Sequence, residues 1–223
     1  MISVAIDGPA GAGKSTIAKA VSARLSYIYV DTGALYRSIA LNAIRNNIDT
    51  EDNKAVNSLL KDTNIEIKFI NGEQRVFLNN KDVSEDIRTS EVSMGASQVS
   101  AIPEVRSFLL DLQRNIAKKN NVIMDGRDIG TVVLPNAQVK IFLTASPECR
   151  ARRRYNDYLK VGNSSQSYEE ILGEIIQRDY NDSHREIAPL KPANDSVTVD
   201  TSEDTLEQSV KKIIAVINSK IIR

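Results

Sequence analysis

A glycine-rich octapeptide near the N-terminus constrains this chain more than any other stretch. Residues 8–15, Gly-Pro-Ala-Gly-Ala-Gly-Lys-Ser, fit the phosphate-binding pattern G-x-x-x-x-G-K-[ST]. The apolar run 2–6 before it predicts a strand, and residues 16–21 after it predict the start of a helix. In that context the loop's backbone N–H groups and the helix N-terminus point at a phosphate. The sequence therefore predicts a nucleoside triphosphate site.

Within this loop the residue types indicate separate tasks. Lys14 is expected to reach the β- and γ-phosphates, and the Ser15 hydroxyl is expected to bind Mg²⁺. The glycines leave room for the backbone to approach the phosphates closely. The candidate triphosphate-binding residues are Gly8, Pro9, Ala10, Gly11, Ala12, Gly13, Lys14, Ser15 and Thr16.

The charge balance and the cysteine content narrow the class of protein. Lys and Arg together number 29, as do Asp and Glu, so no global charge attracts nucleic acid or a membrane. The lone Cys149 excludes an internal disulfide framework and fits a reducing compartment. The sequence given begins directly with a predicted strand, so we expect no signal peptide, and no apolar run approaches the ~20 residues that span a bilayer. We therefore expect a cytoplasmic protein with neither a nucleic-acid nor a membrane partner.

Short apolar strands alternate with helical patterns along most of the chain. After the first strand, further strands are predicted at 27–30, 122–124, 139–143 and 197–199. Helical spacing or capping signals begin between them at Ala34, Pro103, Ser146, Ser167 and Thr205. This alternation predicts an α/β fold, a five-stranded parallel sheet with helices on both faces.

One segment breaks the alternation. Residues 65–70 alternate apolar and polar, Asn71-Gly72 follows, and a second apolar run occupies 76–78, which predicts an antiparallel hairpin. We interpret residues from about 63 to 100 as an insert with a helical second part, within a single domain that spans 1–223.

The loop alone does not separate a switch GTPase, a motor ATPase, a small-molecule kinase and a nucleotide-switched regulator. A GTPase normally carries N-K-x-D, and neither Asn53-Lys54 nor Asn80-Lys81 has the required aspartate. The chain instead carries arginines in loops and helices, several of them near the predicted carboxyl ends of strands, where ligands of open α/β sheets bind. Because a guanidinium can donate two hydrogen bonds to one phosphate, they favour a second, phosphorylated substrate. These arginines are Arg37, Arg106, Arg127, Arg150, Arg152, Arg153, Arg154, Arg178 and Arg185. Arg178 and Arg185 lie seven residues apart on a predicted helix, so we expect them on one face of it.

Nearly end to end, the sequence resembles the bacterial cytidylate kinases, ATP-dependent CMP/dCMP kinases of the P-loop nucleoside monophosphate kinase group. The Asp-Gly-Arg-Asp stretch together with the hairpin insert is more specific for that family than the phosphate loop. The stretches that carry the resemblance are 6–15, 31–37, 86–89, 96–99, 125–133 and Arg178-Asp179 with Asp182 and Arg185.

The resemblance implies roles for an acceptor site that binds CMP or dCMP. Arg37, Arg127 and Arg185 match residues that hold the phosphate, and Arg178 and Asp182 match residues that face the sugar. The cytosine edge is read by residues that match Ser97, Arg106 and Asp128, with Tyr36 near the base and Thr32 where many relatives have serine. It also implies a monophosphate-binding arm over about 32–103 that includes the insert.

The resemblance further implies a lid over about 150–167 that closes over ATP, whose Arg150, Arg153 and Arg154 join Lys14 as catalytic residues. Asp125 ends an apolar strand, and we expect it to hold Mg²⁺ through water, together with Ser15. Asp7 and Asp31 are weaker candidates with a structural role as the alternative. A phosphate monoester has its second pKa near 6, so the attacking oxygen is already anionic and no general base is assigned. We expect a monomer.

Overall fold

The computed structural model describes residues 1–160 and 166–221. The lid predicted at 150–167 extends partly beyond these residues, and so does the loop predicted at 162–166 apart from Gln166. The elements are β1 (Ser3–Asp7), α1 (Lys14–Leu25), β2 (Ile28–Asp31), α2 (Gly33–Arg45), α3 (Asn53–Leu60), β3 (Ile65–Ile70), β4 (Glu73–Leu78), β5 (Lys81–Asp82), α4 (Ser90–Val99), α5 (Pro103–Lys119), β6 (Val122–Gly126), β7 (Val139–Thr144), α6 (Pro147–Lys160), α7 (Tyr168–His184), β8 (Val197–Asp200) and α8 (Leu206–Ile221).

Five strands form one sheet in the order β2-β6-β1-β7-β8. The β1–β7 and β7–β8 pairs are parallel, which requires the helical crossovers that the sequence pattern predicts. The predicted five-stranded parallel sheet with its helices is confirmed. By internal contacts the chain divides into two units, Met1 with Ile28–Val122, and Ile2–Tyr27 with Ile123–Arg223, and each is described by itself.

The unit Ile28–Val122 contains the predicted hairpin. Strands β3 and β4 pair antiparallel with Ile70 opposite Glu73, so Asn71-Gly72 forms the turn; both residues have positive φ. The short β5 extends this to three strands, an addition that the sequence analysis did not include. The apolar face of the hairpin joins a core shared with α2, α4 and α5, in which Leu35, Ile39, Val76, Val99 and Leu109 are buried. The insert is therefore part of that unit's packed core.

The second unit is built on β1, β7 and β8. Residues 4–6 of β1 and residues 123–124 are fully buried, as expected for strands covered on both faces. Helix α7 begins with the predicted capping box: the Ser167 side chain accepts from the Glu170 N–H, and the Glu170 side chain accepts from the Ser167 N–H. Its buried Ile171 and Ile175 pack with Ala151 of α6. Within residues 1–160 and 166–221, every helix is too short or too polar to cross a bilayer.

Candidate functional site

At two positions the phosphate loop has a backbone conformation that favours glycine over any other residue. Gly8 has φ +151°, and a Cβ there would lie 1.9 Å from the Leu143 carbonyl oxygen of β7. Gly13, at the N-terminus of α1, has φ +85°, in the left-handed region. The loop from residue 8 therefore starts against β7 and ends at a helix N-terminus, the arrangement that binds phosphate.

Lys14 has a buried amino group directed back along its own loop. Its Nζ donates a 2.8 Å hydrogen bond to the Pro9 carbonyl oxygen. Burial, with a smaller effect of the Arg127 guanidinium, lowers the pKa of Lys14 to about 7. An anionic phosphate in the loop would favour the protonated form, because an opposite charge nearby stabilises it. The charged form of Lys14, which burial disfavours, would therefore be stabilised by a phosphate bound in the loop.

Ser15 and Asp125, the two residues predicted to bind Mg²⁺, are in hydrogen-bond contact. The Ser15 hydroxyl donates to Asp125 Oδ2 at 2.8 Å, and Asp125 is buried at the end of β6. Mg²⁺ prefers oxygen ligands and usually keeps several waters, so one hydroxyl and one carboxylate are an appropriate protein contribution. Residues 1–160 and 166–221 contain no cluster of three or more His, Cys, Asp or Glu side chains that could hold a metal. The donor set therefore fits a substrate-bound Mg²⁺ better than an all-protein metal cage.

Directly after Asp125, a charged network surrounds Asp182. Arg127 Nε donates to Asp182 Oδ2 at 2.8 Å, and Arg185 Nη2 lies 3.7 Å from Asp128 Oδ1. Burial acts to raise the pKa of Asp182, but Arg127, Arg178 and Arg185 outweigh it and lower that pKa. The structure therefore brings three of the predicted acceptor arginines to the buried Asp182, and Asp128 joins them through Arg185.

Arg185 lies differently from the sequence-based expectation. The spacing of seven placed it on the same helix face as Arg178, but α7 ends at His184 and Arg185 has extended φ and ψ angles of −63° and 143°. Its Nε and Nη2 donate to the Ala188 carbonyl oxygen at 2.8 and 2.5 Å. The turn after the helix, rather than helical periodicity, directs this side chain toward Asp128.

In the unit Ile28–Val122, Arg37 is positioned by β2 and the hairpin. Arg37 Nη2 donates to Asp31 Oδ2 at 2.7 Å, and Asp31 Oδ1 accepts from the Ala34 N–H. Gln74 of β4 accepts from the Asp31 N–H at 2.9 Å and donates to the Asp31 carbonyl oxygen at 3.2 Å. Sequence analysis missed Gln74, because no local pattern links it to a strand more than forty residues earlier. The hairpin thus anchors the residue that orients Arg37.

The predicted base-reading residues of this unit lie on neighbouring helices. Arg106 is buried on α5, its guanidinium carbon 5.7 Å from the centre of the Tyr36 ring. Its Nη1 donates to the Ser100 carbonyl oxygen, and the Ser100 hydroxyl donates to the carbonyl oxygen of Ser97. Thr32 is buried at the start of α2. Arg106, Tyr36 and the chain around Ser97 therefore form a connected group.

The arginines of α6 divide into different environments. Arg150 is almost fully buried: Nη1 donates to the carbonyl oxygen of Ala10 in the phosphate loop, and Nη1 and Nη2 pair with Asp179 at 3.0 and 2.5 Å. Arg153 donates to the Thr201 carbonyl oxygen and Arg154 to the Tyr158 hydroxyl. Arg150 thus ties the phosphate loop to α7. The sequence analysis assigned Asp179 no role, although its place beside Arg178 was noted.

Removal of the Asp179 carboxylate is expected to destabilise the fold. Asp179→Ala would leave the Arg150 charge buried without its partner, which costs about 3 kcal/mol in the free energy of unfolding. Urea unfolding measures this loss. The matched control is Asp157→Ala on α6, because Asp157 pairs with Lys160 where both side chains are more than 70% exposed. That control is expected to change stability by about 0.5 kcal/mol or less. Equal losses in both variants would contradict the anchoring role of Asp179.

Comparison with known proteins identifies the family. The sequence profile described as cytidylate kinase matches residues 4–219. A cytidylate kinase of Lactobacillus johnsonii is 51% identical over 220 residues, covering 99% of this chain and 95% of that protein. One from Caldicellulosiruptor bescii is 50% identical over 213 residues, covering 96% and 94%. A crystal structure of an uncharacterised Eubacterium ventriosum protein shares the fold, with a TM-score of 0.55 at 12% identity and coverage of 98% and 99%. This chain belongs to the cytidylate kinase family.

Proposed function

We propose that this protein transfers the γ-phosphate of ATP to CMP or dCMP, giving ADP and CDP or dCDP. One observation carries the proposal beyond family membership: groups suited to the donor and to the acceptor follow one another at the end of β6. Asp125 contacts Ser15 of the phosphate loop, and Arg127 joins the Asp182 network. A donor triphosphate and an acceptor monophosphate would therefore bind at adjacent residues.

The donor half binds ATP through residues 8–16. Lys14 binds the β- and γ-phosphates, and the burial that lowers its pKa is offset once the triphosphate supplies negative charge. Ser15 and Asp125 would hold Mg²⁺, which supplies charge neutralisation on the transferring phosphates when it is bound. Arg150 keeps the loop in place, and Arg153 and Arg154 of the lid, about 150–167, neutralise charge that develops during transfer.

The acceptor half binds CMP with its phosphate on arginines and its base on polar side chains. Arg37, Arg127 and Arg185 hold the phosphate, and Arg178 and Asp182 face the sugar. The carboxylate of Asp128 accepts from the cytosine amino group, while Arg106 and Ser97 donate to the ring nitrogen and carbonyl and Tyr36 packs near the base. Uracil presents a carbonyl where cytosine presents that amino group, so Asp128 would repel it. The arm, about 32–103, contributes Thr32, Tyr36, Arg37 and Ser97 to this acceptor half.

Chemistry in this site consists of positioning and charge neutralisation. The attacking oxygen of CMP is anionic near neutral pH, because the second pKa of a phosphate monoester lies near 6. The oxygen attacks the γ-phosphorus in line, the bond to the β–γ bridging oxygen breaks, and ADP leaves. No side chain needs to accept a proton, and the arginines and Lys14 offset the negative charge.

A panel of acceptors tests the proposed function. ADP release would be measured in a coupled assay with CMP, dCMP, UMP, AMP, GMP and shikimate, each at several concentrations. We expect the highest kcat/KM for CMP or dCMP. Faster turnover of AMP or UMP would refute the base assignment, and turnover of shikimate alone would place the chain among other small-molecule kinases. ATP hydrolysis that no acceptor stimulates would favour a nucleotide-switched regulator.

A further inference from the structure

The last residue of β1 has a buried carboxylate that no step of the proposed reaction uses. Asp7 is 4% exposed. Its Oδ1 accepts the backbone N–H of Ile129 and its Oδ2 accepts that of Gly130, each at 2.7 Å. Hydrogen bonds to an ionised acceptor are roughly twice as strong as those between neutral groups. Asp7 therefore holds two consecutive amides with one carboxylate.

These two amides begin the turn that directly follows Arg127 and Asp128. Residues 129–133 form a single π-helical turn, a geometry that occurs often at functional sites. A Cβ at Gly130 would lie 3.3 Å from Asp7 Oδ2 and 3.2 Å from Cδ of Lys140, so glycine permits this close approach. The carboxylate of Asp7 thus fixes the backbone next to the base-reading Asp128.

Asp7 itself ends a strand of the sheet, where it pairs with Phe142 of β7. Gly8 follows it and lies against the Leu143 carbonyl oxygen so closely that a Cβ would not fit. Burial raises the pKa of Asp7 to about 6, and the two backbone hydrogen bonds offset only part of that rise. The two amides therefore stabilise the charged form of a carboxylate that burial disfavours.

We propose that Asp7 is a positioning residue for base selection, which acts through the turn that carries Asp128. The proposal rests on the proposed function, in which Asp128 accepts from the cytosine amino group. A carboxylate in a fixed place accepts from that amino group and repels the uracil carbonyl. When the turn is loosened, both effects weaken together. Asp7 then sets the ratio between CMP and UMP without contacting either nucleotide.

Asp7→Asn is the direct test, because asparagine keeps one oxygen acceptor and replaces the other with an NH₂ that cannot accept an N–H. The readout is kcat/KM for CMP divided by kcat/KM for UMP, with the KM for ATP measured in parallel. We expect the ratio to fall about tenfold, the size of one lost hydrogen bond to a charged group, with an ATP KM within about twofold of wild type. In an Asp128→Asn background the same change should cause no further fall. An unchanged ratio, or equal falls in both backgrounds, would overturn the proposal.

Two further variants distinguish the positioning role of Asp7 from a nonspecific disturbance of the fold. Gly130→Ala perturbs the same contact from the opposite side and should lower the ratio while leaving Asp7 in place, so it also serves if Asp7→Asn folds poorly. Asp195→Asn removes the exposed partner of Lys140 and should leave the ratio unchanged. A fall of the same size in Asp195→Asn would overturn the proposal, since the ratio would then not report on Asp7.

Amide hydrogen exchange keeps this test independent of the proposed function. If Asp7 holds the turn, the Ile129 and Gly130 amides exchange slowly in wild type and faster in Asp7→Asn, whatever the enzyme phosphorylates. A wild type without a preference for CMP would refute the proposed function, and the exchange data would still decide whether Asp7 holds the turn. Unchanged exchange at both amides would overturn the positioning role.

Discussion

Lys14→Met is expected to lower kcat for CMP phosphorylation by about 10²–10³-fold, the usual loss when one donor to developing charge is removed. Methionine has a similar length and no charge. Burial already disfavours the charged form of Lys14, as its pKa of about 7 indicates, so the variant should fold with near-normal stability. Steady-state kinetics with ATP and CMP, and thermal unfolding of both proteins, measure the two effects. CMP binding should change by less than about threefold, because Lys14 belongs to the donor half.

Lys19→Met is the matched control for this prediction. Lys19 lies on the same helix, α1, but its side chain is exposed. Its replacement should leave kcat within about twofold of wild type. If Lys14→Met kept near-normal turnover, the role assigned to the phosphate loop would be wrong.

Arg37→Met is expected to reduce kcat/KM for CMP about 100-fold, or nearly 3 kcal/mol, through loss of a charged donor to the acceptor phosphate. Asp31 holds one terminal nitrogen of Arg37, while its buried Nε has no hydrogen-bond partner within residues 1–160 and 166–221. A buried donor without a partner is costly, and a phosphate oxygen would satisfy it. The KM for ATP should remain close to the wild-type value.

Arg75→Met controls for the loss of an arginine from the same unit. Arg75 pairs with Asp82 on the hairpin and belongs to none of the proposed contacts. It should retain kcat/KM for CMP within about twofold. If Arg37→Met retained the wild-type value as well, the acceptor phosphate would have to bind elsewhere.

Much of the fold follows from local sequence patterns. The structure contains the five predicted apolar strands, the Asn71-Gly72 turn and the capping box at Ser167. These features were predictable because hydrophobic periodicity, turn residues and capping residues all depend on residues close together in the sequence. The two-residue β5 and the π-helical turn at 129–133 were missed. Both segments are too short to show the hydrophobic periodicity by which helices and strands are predicted. The carboxylate of Asp7, more than 120 residues earlier in the chain, stabilises the second of them.

Sequence patterns named candidate site residues but could not place all of them in the structure. Ser15 and Asp125, both predicted from local patterns, lie in contact because the loop and the strand end are both fixed by the sheet. Arg185 was misplaced because helical spacing was extended one residue beyond the end of α7. The Arg150–Asp179 pair and the Gln74–Asp31 contact depend on tertiary packing between distant segments. A single sequence contains no periodic signal for such pairs.

The most direct test of the proposed reaction follows the phosphate itself. Wild-type protein would be incubated with Mg²⁺, CMP and ATP labelled in the γ-phosphate, and the products would be separated by chromatography. We predict that the label appears in CDP, in an amount equal to the ADP formed, and that omission of CMP nearly abolishes ATP turnover. Label found only in inorganic phosphate, at a rate that CMP does not change, would contradict the assignment of this chain as a CMP kinase.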